Sequence, residues 1–290
     1  MKKTETFAKL AILFATIIWG TSFVIIKDVV DVISPNYLMA LRFTGACILL
    51  AVIFRKRLCG VTVKMLWQGG IIGFFLYLAY IFQTYGIMGT TPGKNAFLTA
   101  FYCVLVPFLA WVSKGPKPDI WNITAAIMCV GGIGLISLNG DFTVGIGDLL
   151  TLVGGFFFAC HMVAVSKFGK DRDSIVITIL QFVSAAICFW ITSFVTEGAP
   201  SGISSEAALP VIYLCLFCTA LALLLQNFGQ KYTTPSAASL LLSLEAVFGT
   251  LISTVLGRED LTFRTILGFS VIFIAIIISE TKLSFFHRTK

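Results

Sequence analysis

Charged side chains are scarce in this sequence of 290 residues, in which Asp, Glu, Lys and Arg together make up 12%. Soluble domains carry roughly twice that share, about 25%. Proline and histidine are also rare, with 8 and 2 residues, whereas 58% of the chain is hydrophobic and the mean hydropathy is +0.95. This composition excludes a soluble globular domain and predicts a chain embedded in a lipid bilayer.

The apolar residues form ten runs long enough to cross a membrane, since a membrane-spanning helix needs about 20 mostly apolar residues. The first run follows Met1-Lys2-Lys3, as in a signal peptide, but it lacks a small-x-small cleavage site, so we expect an uncleaved helix. The sequence therefore predicts an all-α integral membrane protein with ten transmembrane helices and no extramembrane domain. The runs cover residues 7–27, 35–54, 66–88, 92–112, 119–138, 147–166, 175–195, 209–229, 235–256 and 261–278.

Most of the eight cysteines lie inside these apolar runs, where cysteine generally packs as a small hydrophobic residue. Cys215 and Cys218 match a C-x-x-C pattern, but no metal-ligating partner lies near them in the sequence. We therefore expect neither disulfides nor a metal site, and no cofactor. The cysteines inside the runs are Cys47, Cys103, Cys129, Cys160, Cys188, Cys215 and Cys218.

The formal net charge of +7 is distributed unevenly along the chain. Every second loop is rich in Lys and Arg, whereas the alternate loops carry most of the acidic residues. This is the positive-inside pattern, so we expect both termini in the cytoplasm of an inner (plasma) membrane protein. The excess charge is thus explained by topology, and the pattern predicts the bilayer as a partner and excludes nucleic acid. Arg42, inside the second span, is the one basic residue that this topology does not explain.

Short segments of the first half recur in the second half at nearly one offset. Leu41-Arg42-Phe43 recurs as Leu180-Gln181-Phe182, 139 residues later. The segment with Gln83, Gly86 and Thr90-Thr91-Pro92 recurs as Gln226, Gly229 and Thr233-Thr234-Pro235, 143 residues later. A duplication predicts two repeats of five helices, 1–142 and 143–290, and an odd helix number inserts the second repeat upside down. Inverted repeats are a recurring transporter design, with the substrate site between the repeats.

The chain also resembles a known family. Its motifs are Trp19-Gly20-Thr21-Ser22-Phe23, Leu41-Arg42-Phe43, Phe97-Leu98-Thr99 with Pro107, Gly147-Asp148, Glu245, and Gly257-Arg258-Glu259-Asp260-Leu261-Thr262. In this order, over nearly the whole chain, they resemble the EamA branch of the drug/metabolite transporter superfamily. The resemblance implies an inner-membrane transporter of two inverted five-helix repeats, commonly exporting amino acids, other metabolites or drugs. Ala246 and Phe158 depart from the family pattern, which often has Pro and Trp there.

Two ionisable residues lie deep in predicted spans, where a charge costs a few kcal/mol or more, on the order of 3. Arg42 is about 10 Å and Glu245 about 15 Å from the end of its span, at about 1.5 Å per residue. They are either an intramembrane pair or functional groups. Helical phase favours the structural role, because Ser236, Ser239 and Ser243 share one face of the ninth span and Glu245 points away from it.

Polar and aromatic side chains recur at helical spacing in the apolar spans, which predicts a substrate cavity where several such faces converge. For any single residue, a hydrogen bond between helices or an interfacial anchor is the alternative. For His161, the only histidine inside a span, we favour a neutral, hydrogen-bonded helix contact over a ligand-binding role. The candidate substrate-binding residues are Trp19, Ser22, Tyr77, Tyr80, Gln83, Asn95, Thr99, Tyr102, His161, Gln226 and Ser239.

These features favour a secondary transporter that moves a small-molecule substrate by alternating access, and the resemblance to the family implies export. An aromatic and amide-lined cavity suits an amino acid or another amphipathic or aromatic solute. Sugar-phosphate or nucleotide-sugar exchange is an alternative, although phosphate would need more than one intramembrane cation. A membrane-embedded transferase or protease is a further alternative, and none of its catalytic motifs occurs. The sequence leaves proton coupling and oligomeric state open.

Overall fold

The computed structural model describes residues 2–137, 144–198, 202–233 and 235–281, and in these ranges the chain is helical without a β-strand. A 3-10 turn at Arg55–Gly60 and a π-helical segment at Leu214–Leu221 accompany the α-helices. The α-helices are α1 (Lys2–Val29), α2 (Pro35–Ile53), α3 (Val63–Met88), α4 (Pro92–Thr99), α5 (Tyr102–Val112), α6 (Ile120–Ser137), α7 (Ile146–Phe168), α8 (Ser174–Thr196), α9 (Ser205–Tyr213), α10 (Ala222–Tyr232), α11 (Pro235–Val255) and α12 (Phe263–Thr281).

Many of these segments are long and apolar enough to cross a bilayer. Within the described ranges there are seven, and α6, α11 and α12 contain shorter apolar stretches at Ile120–Ile136, Leu240–Val255 and Phe263–Ser279. Lengths and compositions of this kind are those of a multi-pass membrane protein. The seven segments are Thr4–Val29, Pro35–Ile53, Val63–Met88, Pro92–Val112, Ile146–Phe168, Ser174–Thr196 and Ser205–Tyr232.

Helices from the first half of the chain pack mainly on helices from the second half. Helix α3 lies between α7 and α8, α1 lies along α10 and α11, and α6 pairs with α12. Glycines allow the closest approaches: a Cβ at Gly73 would collide with the carbonyl oxygen of Gln181 in α8, and a Cβ at Gly154 in α7 would lie 2.9 Å from the backbone nitrogen of Gln83. Small residues at helix interfaces let backbones meet in this way.

The predicted fourth span is interrupted between α4 and α5, at Ala100 and Phe101. Backbone bonds of the i to i−3 kind tighten the chain there, from Phe101 to Leu98 at 3.3 Å and from Cys103 to Ala100 at 3.0 Å. A proline inside a helix generally bends it, and Pro107 lies well inside this span. The structure keeps Pro107 inside α5 and places the interruption more than one turn earlier, which brings Tyr102 to the start of a new helix.

The predicted eighth span contains a π-helical segment between α9 and α10. Its turns are wider than those of an α-helix: the hydroxyl of Thr219 donates to the carbonyl of Leu214, five residues earlier, at 2.8 Å. The backbone N–H of Ala222 donates to the carbonyl oxygens of Phe217 and Thr219. It does not bond the carbonyl of Cys218, which would be its partner in a regular α-helix. Single π-helical turns inside α-helices often occur at functional sites.

Polar contacts join the two halves of the chain at the end of the bundle where α3 meets α4. Lys94 forms an ion pair with Asp148 at 2.5 Å. Glu259 accepts hydrogen bonds from the hydroxyl of Thr91 at 2.7 Å and from the backbone N–H of Gly93 at 2.9 Å, so it caps the N-terminus of α4. Burial raises the pKa of the Glu259 carboxyl, against the lowering effect of these hydrogen bonds.

Candidate functional site

A small cavity lies in the interior of the bundle, among α1, α3, α5, α7, α10 and α11. Its volume is about 30 Å³, which accommodates no more than a few water molecules. The cavity is therefore too small for a metabolite in this conformation, and binding one requires the helices to separate. The lining residues are Trp19, Ser22, Phe23, Tyr80, Gln83, Tyr102, Phe158, Met162, Gln226, Leu242 and Glu245.

Six of the candidate residues inferred from the sequence come together at this cavity. Three aromatic side chains, those of Trp19, Tyr80 and Tyr102, form much of its wall, and all three are at least nine-tenths buried. The polar members are Ser22 from α1, Gln83 from α3 and Gln226 from α10. Substrate binding by these residues stays a prediction.

Gln83 and Gln226 occupy matching positions in the two halves of the sequence, and both face the same cavity. The amide nitrogen of Gln83 donates to the hydroxyl of Thr99 at 3.1 Å, and that of Gln226 donates to Gln230 Oε1 at 3.4 Å. One neighbouring side chain therefore orients the amide of each glutamine. The side-chain oxygen of each glutamine takes part in neither of these two hydrogen bonds.

Four other candidates lie away from the cavity wall, in contacts between helices. The hydroxyl of Tyr77 bonds that of Thr192 at 2.7 Å, and Thr99 accepts from Gln83. The amide nitrogen of Asn95 donates to Thr151 Oγ1 at 2.7 Å. These are the interhelical hydrogen bonds that a polar group needs in a bilayer.

His161 is the fourth of these candidates and is also held between helices. Its Nε2 bonds Gln181 Oε1 at 2.9 Å, and the side chain is almost fully buried. Ser22 and His161 are 139 residues apart, which is the offset of the first repeated segment, yet Ser22 lines the cavity and His161 does not. The side chain of Ser239, the remaining candidate, lies outside the described part of the chain, as does that of Ser236.

Glu245 lines the cavity, so the orientation expected from helical phase is wrong. Leu242 and Glu245, three residues apart on α11, supply the wall, whereas Ser243 turns away and donates to the carbonyl of Leu240 at 2.7 Å. The serine spacing predicted the wrong face for the cavity because the hydroxyl of Ser243 bonds the backbone of its own helix. The hydroxyl of Tyr102 lies beside the Glu245 carboxyl.

Arg42 is fully buried behind the cavity and does not pair with Glu245. Its guanidinium lies over the ring of Tyr80, 5.4 Å from the centroid, and its Nε donates to Thr219 Oγ1 at 3.1 Å. The Nη2 nitrogen has no partner among the described residues. A buried cation without a carboxylate is costly, and its contact with Tyr80 links it to the cavity wall.

The indole nitrogen of Trp19 is committed to the backbone. It donates to the carbonyl oxygen of Cys218 at 2.8 Å, the carbonyl that the π-helical segment leaves out of the Ala222 bond. The hydroxyl of Ser22 in turn donates to the carbonyl of Trp19 at 2.8 Å. The ring of Trp19 is therefore fixed in place, and its face rather than its N–H is available to a ligand.

Sequence reasoning missed the apolar part of the wall. Phe23 lies four residues after Trp19 on α1, Phe158 and Met162 lie four apart on α7, and Leu242 lies three before Glu245. The i to i+4 and i to i+3 spacing from residues already singled out was the available signal.

Comparison with known proteins agrees with this architecture. The model of the EamA-like transporter family matches residues 6–138 and again residues 145–281. An uncharacterized transporter of Archaeoglobus fulgidus is 30% identical over 278 residues, which cover 95% of this chain and 86% of that protein. The uncharacterized transporter YvbV of Bacillus subtilis is 25% identical over 293 residues, covering 97% and 93%.

Two further comparisons bear on name and fold. A protein of Escherichia coli named as a probable amino-acid metabolite efflux pump is 25% identical over 268 residues, covering 88% of this chain and 89% of that protein. A protein of known crystal structure shares the fold with a TM-score of 0.71, at 18% identity, over 96% of this chain and 98% of that one. With the family model matched over both halves, the chain belongs to the EamA-like transporter family and is a membrane transporter, not an enzyme.

Proposed function

We propose that this transporter exports a small metabolite, an amino acid or another amphipathic or aromatic solute, by alternating access at the central cavity. The observation that carries the proposal is the origin of the cavity wall. Trp19, Tyr80 and Tyr102 come from the first segment matched by the family model, and Gln226 and Glu245 come from the second. A site built from both segments changes its exposure when one segment moves against the other.

The proposal includes a topology of ten transmembrane helices in two inverted repeats of five, 1–142 and 143–290, in the inner membrane. The two matches of one family model support a duplication. The basic loops support cytoplasmic termini, because positive residues remain on the cytoplasmic side during insertion. Opposite insertion of the two repeats then places their shared site near the middle of the bilayer.

The cavity wall supports the solute class. Aromatic faces and amide groups suit a solute with an apolar body and a polar end, and the name of the Escherichia coli relative gives amino-acid metabolites and efflux for that protein. Sugar-phosphate exchange is less well supported, since Arg42 lies behind Tyr80 and no Lys or Arg lines the cavity. Arg is the side chain best suited to bind phosphate.

The test is an untargeted flux experiment with purified protein in lipid vesicles. Vesicles that carry the protein are loaded with a metabolite extract, and the released solutes are identified by mass spectrometry against protein-free vesicles. Tyr80→Ala and Gln83→Ala are expected to lower the flux of the transported solute at least about tenfold, as loss of a well-packed contact of about 1.4 kcal/mol would. Phe74→Ala, on the exposed face of the same helix, is the matched control.

Direction is tested in inside-out membrane vesicles, where an exporter accumulates its solute in the lumen. Release of no metabolite by the wild-type protein would argue against transport. Full flux in both cavity variants, at equal amounts of folded protein, would move the site away from the cavity.

A further inference from the structure

We propose that the transported solute carries a primary ammonium group beside an apolar or aromatic body, and that Glu245 binds this group. The inference rests on the proposed function, because it assigns a substrate class to the same cavity. It goes beyond that function by naming the charge of the solute and the residue that recognises it.

The charge of the cavity wall is the first argument. Glu245 is the one acidic residue among the eleven that line the cavity, and none of the eleven is basic. Among the described residues, no Lys, Arg or His lies within ion-pair distance of its carboxylate. A buried carboxyl without a neighbouring cation is costly to ionise, and a ligand cation that enters the cavity offsets that cost.

The second argument concerns the hydrogen-bonding groups of the cavity wall. Several of its donors are already bonded to protein groups, and these bonds leave several of its acceptors unused. The N–H of Trp19 and the hydroxyl of Ser22 both donate to backbone carbonyls. The amides of Gln83 and Gln226 each donate through nitrogen to a neighbouring side chain, and these bonds leave their oxygens unused. The hydroxyl of Tyr102 lies beside the Glu245 carboxyl and donates to it. The second carboxyl oxygen and the two glutamine oxygens remain as acceptors for a ligand. An ammonium group, which donates three hydrogen bonds and accepts none, is the complement of such a wall.

The third argument is the aromatic surface that surrounds the carboxylate. The rings of Tyr80 and Phe158 meet edge to face with centroids 5.2 Å apart, and Tyr102 packs against Phe158 at 6.2 Å. Aromatic faces attract a cation and also accommodate an apolar body. They place the apolar part of the solute beside the group that binds its ammonium.

Arg42 does not change this charge balance at the wall. Its guanidinium lies behind Tyr80, and its Nε is bonded to Thr219. A solute carboxylate would have to displace Tyr80 to reach it. The exposed electrostatic surface of the cavity is therefore that of Glu245.

The test is ligand binding to the full-length protein in detergent or lipid, measured by the shift in melting temperature. The probes share one skeleton: phenethylamine, its N-acetyl derivative, its N-trimethyl analogue and 3-phenylpropionate. A ligand that binds the folded state raises the melting temperature, and at one ligand concentration the shift grows with the logarithm of its affinity. We expect phenethylamine to bind the wild-type protein at least about tenfold more tightly than each of the other probes, since a charge-assisted hydrogen bond contributes at least that factor.

Two variants assign the effect to the carboxylate. Glu245→Gln keeps the shape and is expected to weaken phenethylamine binding at least about tenfold, and Glu245→Asp is expected to retain part of it. Ser243→Ala is the matched control, because Ser243 lies on the same helix with its hydroxyl bonded to Leu240. Equal binding of the neutral or acidic probe, unchanged binding in Glu245→Gln, or binding of none of the probes would each overturn the proposal.

The outcome is separable from that of the flux experiment. Binding of phenethylamine without release of any metabolite from vesicles would contradict transport and leave the amine site standing. Release of only neutral or anionic metabolites would support transport and overturn the amine site.

Discussion

The indole nitrogen of Trp19 lies 2.8 Å from the carbonyl oxygen of Cys218, and this hydrogen bond joins the cavity wall to the π-helical segment. The two residues come from the two segments that the family model matches separately. A regular α-helix would have used the Cys218 carbonyl for its own ladder. The wide turns thus release the Cys218 carbonyl from the Ala222 N–H, and the Trp19 indole bonds this carbonyl.

Replacing Trp19 with Phe is expected to remove this bond, keep most of the apolar packing, and lower both flux and thermal stability. The bond contributes about 1 kcal/mol if it behaves as a typical buried hydrogen bond. Thermal unfolding and vesicle flux are the measurements. Trp67→Phe is the control, since Trp67 is 70% exposed on the outside of α3. Equal effects of the two substitutions would contradict a specific role for Trp19.

Replacing Arg42 with Met is expected to separate function from folding. Arg42 forms no ion pair among the described residues, so its replacement leaves no carboxylate unpaired and removes the cost of burying a cation. The variant should therefore fold and melt no earlier than the wild type. Flux should fall at least about tenfold, because Tyr80 loses the guanidinium that lies over its ring. Arg55→Met, an exposed substitution, is the control. An Arg42→Met protein that transports normally would refute a link between this charge and the cavity.

Two glycines on α3 make a matched pair for testing helix packing. A Cβ at Gly73 would collide with the carbonyl oxygen of Gln181 in α8, whereas a Cβ at Gly70 would meet nothing within 4 Å. Gly73→Ala is expected to reduce the yield of folded protein and its melting temperature. Gly70→Ala should be neutral or slightly stabilising, since alanine favours helix over glycine by about 1 kcal/mol. Similar stability of the two variants would show that α3 and α8 are less closely packed than described.

The exposed thiol of Cys59 provides a test of sidedness. Cys59 lies in the basic 3-10 turn between α2 and α3, and the other cysteines are buried or half-buried. A membrane-impermeant maleimide is expected to label Cys59 in inside-out vesicles and not in intact cells. Val32→Cys, made together with Cys59→Ser, should show the reverse, because Val32 is exposed in the turn after α1. Labelling of Cys59 from outside intact cells would invert the proposed topology.

Much of the fold was predictable because the bilayer constrains it simply. Long apolar runs give helix positions to within a few residues, as with the run 35–54 and α2 (Pro35–Ile53). The faint repeat gave Gln83 and Gln226 as a pair, and both reach one cavity. The irregular backbone was not predictable, since neither the break before Tyr102 nor the π-helical segment follows from hydrophobic period.

The candidate site was predictable at the level of faces and less so for single residues. A polar side chain in a membrane span needs a partner, and sequence does not tell a ligand from a neighbouring helix. Gln83 and Asn95 illustrate this: Gln83 reaches the cavity, and Asn95 bonds Thr151. Glu245 was assigned the wrong direction because the serine face was taken as the polar face of α11, and Ser243 bonds its own helix.

The small volume at the centre of the bundle has a consequence for the membrane as an insulator. A space of about 30 Å³ holds no continuous file of water, which protons would need to pass from one side to the other. Ions also find no hydrated route through it, because its wall is largely aromatic and aliphatic. In this conformation we therefore expect the empty transporter to add little to the leak of protons and ions across the membrane.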